Sequence, residues 1–532
     1  VLAVFGTLLR VRQSAGGASL WLDELALGRN ILGRPLRSLL TEPLAYDQVA
    51  PPGFLLLEKV AVLALGTGDL QLRLVPLASS VGALAIFVWV AARTLRGPAF
   101  PAAVALLAVN VQQVHYAGQV KPYSTDVLVA VGLTALMLRW WIRRRPSDTL
   151  VLALAGLAAV WLSAPAVLVL GGLGAAAGLA AWSARDWSVV RDLWPAAVTW
   201  LVGSVTTVII ALRGMDPATS DYLQRYWRGS GGFPPDPASA FDTARWLAEA
   251  VRSLFGGALE YRWPHLYAVL AAVGALAIAR RSRAAALMLV MPMAVTLGAA
   301  LAHQYPISRR LVLFLAPAAI CLIAAPTELV TSRLSRASIV GLITLAVACW
   351  PLLAHVQRLR SVLVIDEVRP LLADVRSAWR PGDLMYVHFP AHQAIQYYGP
   401  RYGFRREEVR VGGCHYRRPR QYRAELSVLR GRPRVWVLFA HALTQRRADR
   451  AKILDLLDQA GRRLYSVRGP LSGTPGTMDP PSAHLYDLSV SDPAAEGAAT
   501  MEPNESADEP VDPLVCLRGP QAPPPPSKLD PY

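Results

Sequence analysis

Residues 72–94 read LRLVPLASSVGALAIFVWVAART, and between Arg73 and Arg93 no residue carries a charge. A helix needs about 20 apolar residues to cross a bilayer, so this run predicts a membrane span. Nine further stretches read alike, roughly 99–115, 123–142, 149–163, 165–183, 196–213, 264–279, 285–302, 310–327 and 338–356. The whole chain agrees: of 532 residues 53% are hydrophobic and 17% charged, too apolar for one soluble domain and too weakly charged for a disordered one. The expected class is therefore a polytopic α-helical membrane protein. The 54 basic against 37 acidic residues leave +17, nearly all of it arginine, since lysine occurs only at 59, 121, 452 and 528. That skew matches a high-GC genome and does not imply a nucleic-acid partner. The four cysteines show no C-x-x-C spacing, which excludes a zinc ribbon and a disulfide-rich scaffold. Cys321 and Cys349 lie in apolar runs and read as core residues.

Positive residues of short loops stay on the cytoplasmic side, and five alternate loops carry them: Arg93 and Arg96; Arg139 and Arg143 to Arg145; Arg185 and Arg191; Arg280, Arg281 and Arg283; Arg333 and Arg336. With these inside, segments 10–71, 116–122, 214–263, 303–309 and everything after 357 face outward. The opening VLAVFGTLL is apolar but stops at Arg10. It reads as the outer end of a span whose beginning is missing, through a late start site or a trimmed chain, which brings the count to about 11 spans. A cleavable signal peptide fits less well, because no basic region precedes it. Phe54 to Leu65 is apolar, a dozen residues long and interrupted by Glu58 and Lys59. Counting it as a span inverts the charge rule downstream, so it reads as a helix lying in the outer interface with the charged pair on its wet face.

From about 361 the pattern changes to short mixed elements: a helix in DEVRPLLADVRSAW, a PGD turn, strands in LMYVH and VWVLFA, then a helix near Ala451 to Ala460 before LYSV. The expected organisation is a transmembrane domain over 1–360, an extracytoplasmic α/β domain over 361–490 and a tail over 491–532. Residues 357–490 hold 22 Arg and Lys452 against 12 acids, an excess of +11 suited to anionic head groups, or simply a solvated basic face. The tail contains PPPP and eight acids against two basic residues, so disorder is expected there.

The most informative outward segment is SLWLDELALGRNIL (19–32), followed by LAYDQVAPPGFLLL (44–57). Asp23 and Glu24 open a helical pattern where water meets lipid. Adjacent helix positions diverge by about 100°, so one carboxylate can face a cavity while the other anchors the helix. A helix start favours ionised carboxylates, and an ionised Asp near an acceptor hydroxyl is what general-base catalysis requires. An ordinary exposed helix start with an acidic first turn is the structural alternative.

The WLDE opening, YDQVAPPGFLLL, the outward HYAGQVKPYSTD (115–126) and YPISRRLVLFLAP (305–317) together resemble the GT-C superfamily of membrane glycosyltransferases, in particular the bacterial branch of the protein O-mannosyltransferase and aminoarabinose transferase group, which is family 39-like. The resemblance covers residues 1 to about 360 and, more weakly, the α/β domain. It implies a GT-C type fold with interfacial helices in the first outer loop. It also implies inverting transfer of a sugar from a polyprenyl-phosphate donor to an acceptor hydroxyl on a protein, glycolipid or glycan, outside the cytoplasmic membrane of a bacterium. In that family the acid of the first outer loop is catalytic, which carries over to Asp23, with Glu24 as the second member of the catalytic pair.

A sugar leaving an anionic lipid phosphate needs fixed cations in a site of low dielectric. Lys121, Arg309 and Arg310, all on outward loops, are the candidates for binding the donor phosphate. Snorkelling anchorage of a span is the alternative for the arginine pair. Gln119, Tyr123, Asp126 and Tyr305 flank them and are expected to line the substrate cavity, although aromatic residues also form the ordinary interfacial belt. Relatives often carry Glu where Gln119 stands, which weakens the case for a divalent metal; no metal ligand is assigned and no cofactor is certain, a divalent metal staying open as the alternative. The aminoarabinose branch places a Glu-Lys pair where Val49 and Ala50 occur, so a neutral hexose or pentose suits this chain better. His388 and His392 have no metal-ligand spacing. The segment Gly214 to Trp263 has the glycine and proline content to cover a site. A transporter or flippase of the same lipid and an inactive binding scaffold are the competing classes. A transporter would show repeat symmetry and charge within its spans, and neither is seen in the sequence.

Overall fold

In the computed structural model the apolar runs become helices, because in hydrocarbon every backbone N–H and C=O must be satisfied within its own segment. The structure describes residues 1–236, 239–329, 336–415, 418–441, 447–470 and 479–489. The acidic tail, expected to be disordered, lies outside them. Two compact units form: the first holds Val1–Gly17, Leu36–Pro43 and Val49–Val362, the second Ala18–Pro35, Leu44–Gln48 and the chain from Leu363. Two pieces of the first loop, including Asp23 and Glu24, therefore cluster with the C-terminal unit, and a cut at residue 360 does not separate the units.

In the first unit six helices are long and apolar enough to cross a membrane: Leu74–Thr94, Tyr123–Arg143, Ala166–Ala184, Ser188–Ala211, Arg283–Leu301 and Ser338–Arg358. Shorter apolar helices occupy Ala99–Ala108, Pro146–Leu162, Pro264–Ala279 and Leu313–Leu329, and Leu2–Ala15 opens the chain. Each expected span but 99–115 thus has its helix, four of them shorter than a full crossing. Large apolar side chains are exposed along them, among them Leu201, Val202, Val205, Leu342 and Leu353. Such a surface suits lipid and not water. Close approaches use small residues: a Cβ added at Gly172 would meet Pro292 Cα at 2.5 Å, where Ala166–Ala184 packs on Arg283–Leu301.

Three expectations need correction. The run 99–115 is not one span. Helix Ala99–Ala108 ends and a new one, Val111–Ala117, starts from Asn110, whose side chain accepts from Gln113 N. Arg10 does not end the first helix, which continues to Ala15. Its buried guanidinium donates to Leu107 O (3.1 Å) and Ala108 O (2.9 Å), carbonyls at the break, and to Ser80 Oγ (2.9 Å). Arg10→Leu should therefore remove the guanidinium from two buried carbonyls, of which Leu107 O keeps the Asn110 N–H, and cost about 2 kcal/mol, read as a lowered thermal midpoint in detergent.

The third correction concerns helix Pro52–Leu65. Glu58 and Lys59 are buried, while Leu56, Leu57, Val60, Leu63 and Leu65 are exposed. In lipid the charged face turns inward and the apolar face outward, the reverse of a helix on water. Neither Glu58 carboxylate oxygen has a hydrogen-bond partner among the described residues.

The second unit is built on a five-stranded sheet: β1 (Leu384–Val387), β2 (Val409–Val411), β3 (Val435–Phe439), β4 (Arg462–Arg468) and β5 (Ser482–Asp487), in the order β2-β1-β3-β5-β4. The pairs β1–β2 and β1–β3 are parallel; β3–β5 and β4–β5 are antiparallel. β3 (VWVLF) is buried at every position, as expected of a central strand covered on both faces. Tyr386, Tyr422, Leu426, Val437, Phe439, Leu457 and Tyr486 form its core. Asp383, buried, takes an ion pair from Arg434 at 2.7 Å and the Trp436 indole N–H at 3.0 Å. Of the expected elements the helix at the unit's start is shorter than read (Arg369–Ser377), and β2 and β5 are additional.

His392 and His484 are buried here, and burial lowers both imidazoles to about 4. His484 sits between Ser466 Oγ (2.8 Å) and Ser482 Oγ (3.0 Å), and His392 Nδ1 lies 2.7 Å from Phe389 O. With folded values below the unfolded 6.5, the unfolded chain binds more protons in between, so stability is present above pH 6.5 and is lost as pH falls toward 4. Lower hydrogen-exchange protection factors in Ser482–Asp487 at pH 5 than at pH 7, with the difference reduced in His484→Gln, are the expected result.

Candidate active site

In the first unit the polar side chains gather where the chain turns into helix Tyr123–Arg143. Lys121 N donates to Gln119 O (2.7 Å) and Ser124 Oγ to Tyr116 O (2.9 Å), closing a tight turn ahead of Pro122. Gln119 Nε2 donates to His115 Nε2 (2.7 Å). His115 meets Tyr116 edge-on at 5.1 Å, Tyr116 meets Tyr123 at 4.9 Å, and the Arg310 guanidinium lies over the Tyr123 ring at 5.8 Å. Tyr305 donates to Leu311 O (2.8 Å), and burial, with Asp126 and Tyr123 nearby, holds its phenol protonated well above the usual range. Asp126 is buried, and its Oδ1 has no hydrogen-bond partner among the described residues.

Gln119, Tyr123, Asp126, Tyr305 and Arg310 thus form one connected group. Lys121 is buried within the same turn. Arg309 is exposed, and its stem runs against Gly257, where an added Cβ would meet Arg309 Cγ at 2.7 Å. Gly257 belongs to a π-helical turn, Arg252–Ala258, which ends a segment containing two helices, Pro217–Gly229 and Ala240–Val251. These helices order most of the stretch read from sequence as flexible.

Sequence reasoning missed two cations. The charges of Arg73, buried, and Arg358 both act on His115, and Arg358 pairs with Glu260, which also accepts from Gln112. Both stand at outward ends of predicted spans, the position from which Lys121 was singled out, and that placement was the available signal.

The second unit holds the acids of the first loop. Helix Leu22–Gly33 starts with Asp23 and Glu24 in its first turn. Glu24 is buried and accepts from Trp21 N (2.9 Å), so this carboxylate anchors the helix start. Asp23 is half-buried at the N-terminus of the helix, where the macrodipole favours its ionised form. Trp21 packs edge-on against His441 at 5.1 Å, Leu20 N donates to Tyr398 Oη at 2.7 Å, and Ser19 N donates to Glu367 at 2.8 Å. Asn30 clamps the second loop piece through Ala45 N and Ala45 O at 2.9 and 3.1 Å. The next residues, Tyr46 and Asp47, adopt positive φ (63° and 52°), a strained conformation that the clamp sustains.

The chain is similar along most of its length to three solved structures. Against the crystal structure of ArnT from Cupriavidus metallidurans bound to undecaprenyl phosphate the identity is 12%, covering 91% of this chain and 97% of that one, with a TM-score of 0.49. Against ArnT from the same organism in the apo state the figures are 13%, 92%, 97% and 0.49. Against the archaeal oligosaccharyltransferase AglB from Archaeoglobus fulgidus, in complex with an inhibitory peptide and a dolichol-phosphate, they are 12%, 92%, 74% and 0.45. No family model and no curated protein matches the sequence.

Among the described residues no group of three or more His, Cys, Asp or Glu converges to hold a metal ion. The first unit offers a buried lysine, a half-buried arginine and two phenols beside a buried acid, an arrangement that can hold a phosphate and a hydroxylated ring. The second offers an ionisable acid on a rigid helix start.

Proposed function

We propose that the chain is a GT-C type inverting glycosyltransferase that moves a hexosyl or pentosyl group from a polyprenyl-phosphate carrier to an acceptor hydroxyl. The reaction would take place on the extracytoplasmic side of a bacterial cytoplasmic membrane, with the C-terminal unit on that side. The observation that carries the reading is the buried polar group at the head of helix Tyr123–Arg143, where Arg310 and Tyr305 stand beside Asp126 and Tyr123. Lys121 and Asp126, both buried in that group, cost desolvation energy that a span does not bear without a use.

In this reading Asp23 takes the proton from the acceptor hydroxyl, whose oxygen attacks the anomeric carbon from the face opposite the phosphate. The carbon–oxygen bond to phosphate breaks, the lipid phosphate leaves as an anion, and the configuration inverts. Lys121, Arg309 and Arg310 neutralise the charge that develops on the leaving phosphate, the arginine forks being shaped for two phosphate oxygens. Glu24 holds the helix that carries Asp23. Gln119, Tyr123, Asp126 and Tyr305 line the sugar cavity, and a neutral sugar suits the uncharged Val49 and Ala50. The acceptor is a protein, glycolipid or glycan. The test is a reconstituted assay with radiolabelled polyprenyl-phosphate sugars: label transferred to an acceptor supports the enzyme, whereas lipid movement without transfer points to a flippase.

A further inference from the structure

At the far end of helix Tyr123–Arg143, 20 residues and therefore about 30 Å from Tyr123, a groove of about 450 Å³ opens between that helix and Leu74–Thr94. Its walls include Trp89, Arg93, Leu136, Arg139 and Arg143. Gly132 contributes open floor, since a Cβ there would meet nothing within 4 Å. Arg139 is paired with Asp148 at 2.9 Å. Arg93 lies over the Trp89 ring at 5.1 Å, and neither Arg93 nor Arg143 has an acidic partner among the described residues. Ile86, Ala135, Leu136 and Ile142 complete an apolar wall on two helices that are themselves long and apolar enough to span.

We propose that this groove binds an anionic phospholipid of the leaflet opposite the candidate active site. Two uncompensated guanidinium groups complement one phosphate diester, the Trp89 ring sits at head-group depth, and the apolar wall receives an acyl chain. A free inorganic anion would leave that wall unused. The carrier lipid's phosphate is proposed for the other end of the helix, some 30 Å away. The inference rests on the membrane-spanning helices and stands whatever group the chain transfers.

The test is native mass spectrometry of the full chain in mild detergent, titrated with phosphatidylglycerol, with phosphatidylcholine of the same acyl chains, and with a polyprenyl phosphate. Each basic side chain beside an anionic lipid surface contributes on the order of fivefold in affinity. Arg93→Gln combined with Arg143→Gln should therefore weaken phosphatidylglycerol binding about thirtyfold and leave phosphatidylcholine unaffected. The Arg93→Lys, Arg143→Lys variant, which keeps both charges, should stay within about fivefold of the parent. Equal binding of the two phospholipids by the parent, unchanged phosphatidylglycerol binding in the glutamine variant, or loss in the lysine variant as large as in the glutamine variant would each overturn the proposal. So would a polyprenyl phosphate that displaces phosphatidylglycerol and itself depends on Arg93 and Arg143.

Discussion

Asp23→Asn is expected to slow sugar transfer by about a hundredfold to ten-thousandfold, the range that positioned general-base catalysis contributes, while leaving the thermal midpoint of the purified protein unchanged. The amide keeps the shape of the carboxylate and cannot accept the proton. Asp23 is half-buried at the first turn of Leu22–Gly33, and the amide retains the hydrogen-bonding oxygen there. Glu24→Gln should behave differently. Glu24 is buried and accepts from Trp21 N, so weakening that bond loosens the helix start and costs about 1 kcal/mol of stability, with a loss of rate that follows the loss of position. Measuring initial rates and midpoints for both variants separates the proton acceptor from the residue that holds it in place. Transfer at parental rate in Asp23→Asn would remove Asp23 from the chemistry.

Much of the first unit was legible in the sequence because hydrocarbon imposes a length on every crossing helix, and the apolar runs marked those lengths within a few residues. What could not be read depends on partners far apart in the chain. Arg10 seemed to end a span, yet it lies inside a helix because carbonyls about 97 residues away need its donors. Glu58 and Lys59 were put on a wet face by a rule that holds in water, and in lipid that face turns inward. β5 escaped notice because SAHLYD places a serine and a histidine at positions that are buried in the sheet. The histidine is accommodated only because Ser466 and Ser482 flank it. At the candidate site, Tyr123, Asp126, Tyr305 and Arg310 were chosen by their outward position and chemistry, and the fold brings them into one group. Arg73 and Arg358 were passed over, since an arginine at a span end reads first as an interfacial anchor.

That ambiguity bears directly on the donor-phosphate cations, and substitution at Lys121 and Arg309 resolves it. Lys121→Ala should lower kcat/KM by about a hundredfold to a thousandfold, the loss that follows removal of one preorganised donor from a developing anion. Its burial keeps the ammonium in a poorly screened setting. Arg309 is exposed and braced along Gly257, so either role is open to it, and Arg309→Lys distinguishes them. A lysine snorkels as well as an arginine, and a side chain that only anchors its segment would give a lysine variant with parental rates. A side chain that grips two phosphate oxygens loses its fork when replaced by a point charge. Arg309→Lys should then lose most of the rate that Arg309→Ala loses. Free polyprenyl phosphate, the expected product, should inhibit both Arg309 variants more weakly than the parent, because the contact that stabilises the leaving group also retains it after the sugar has gone.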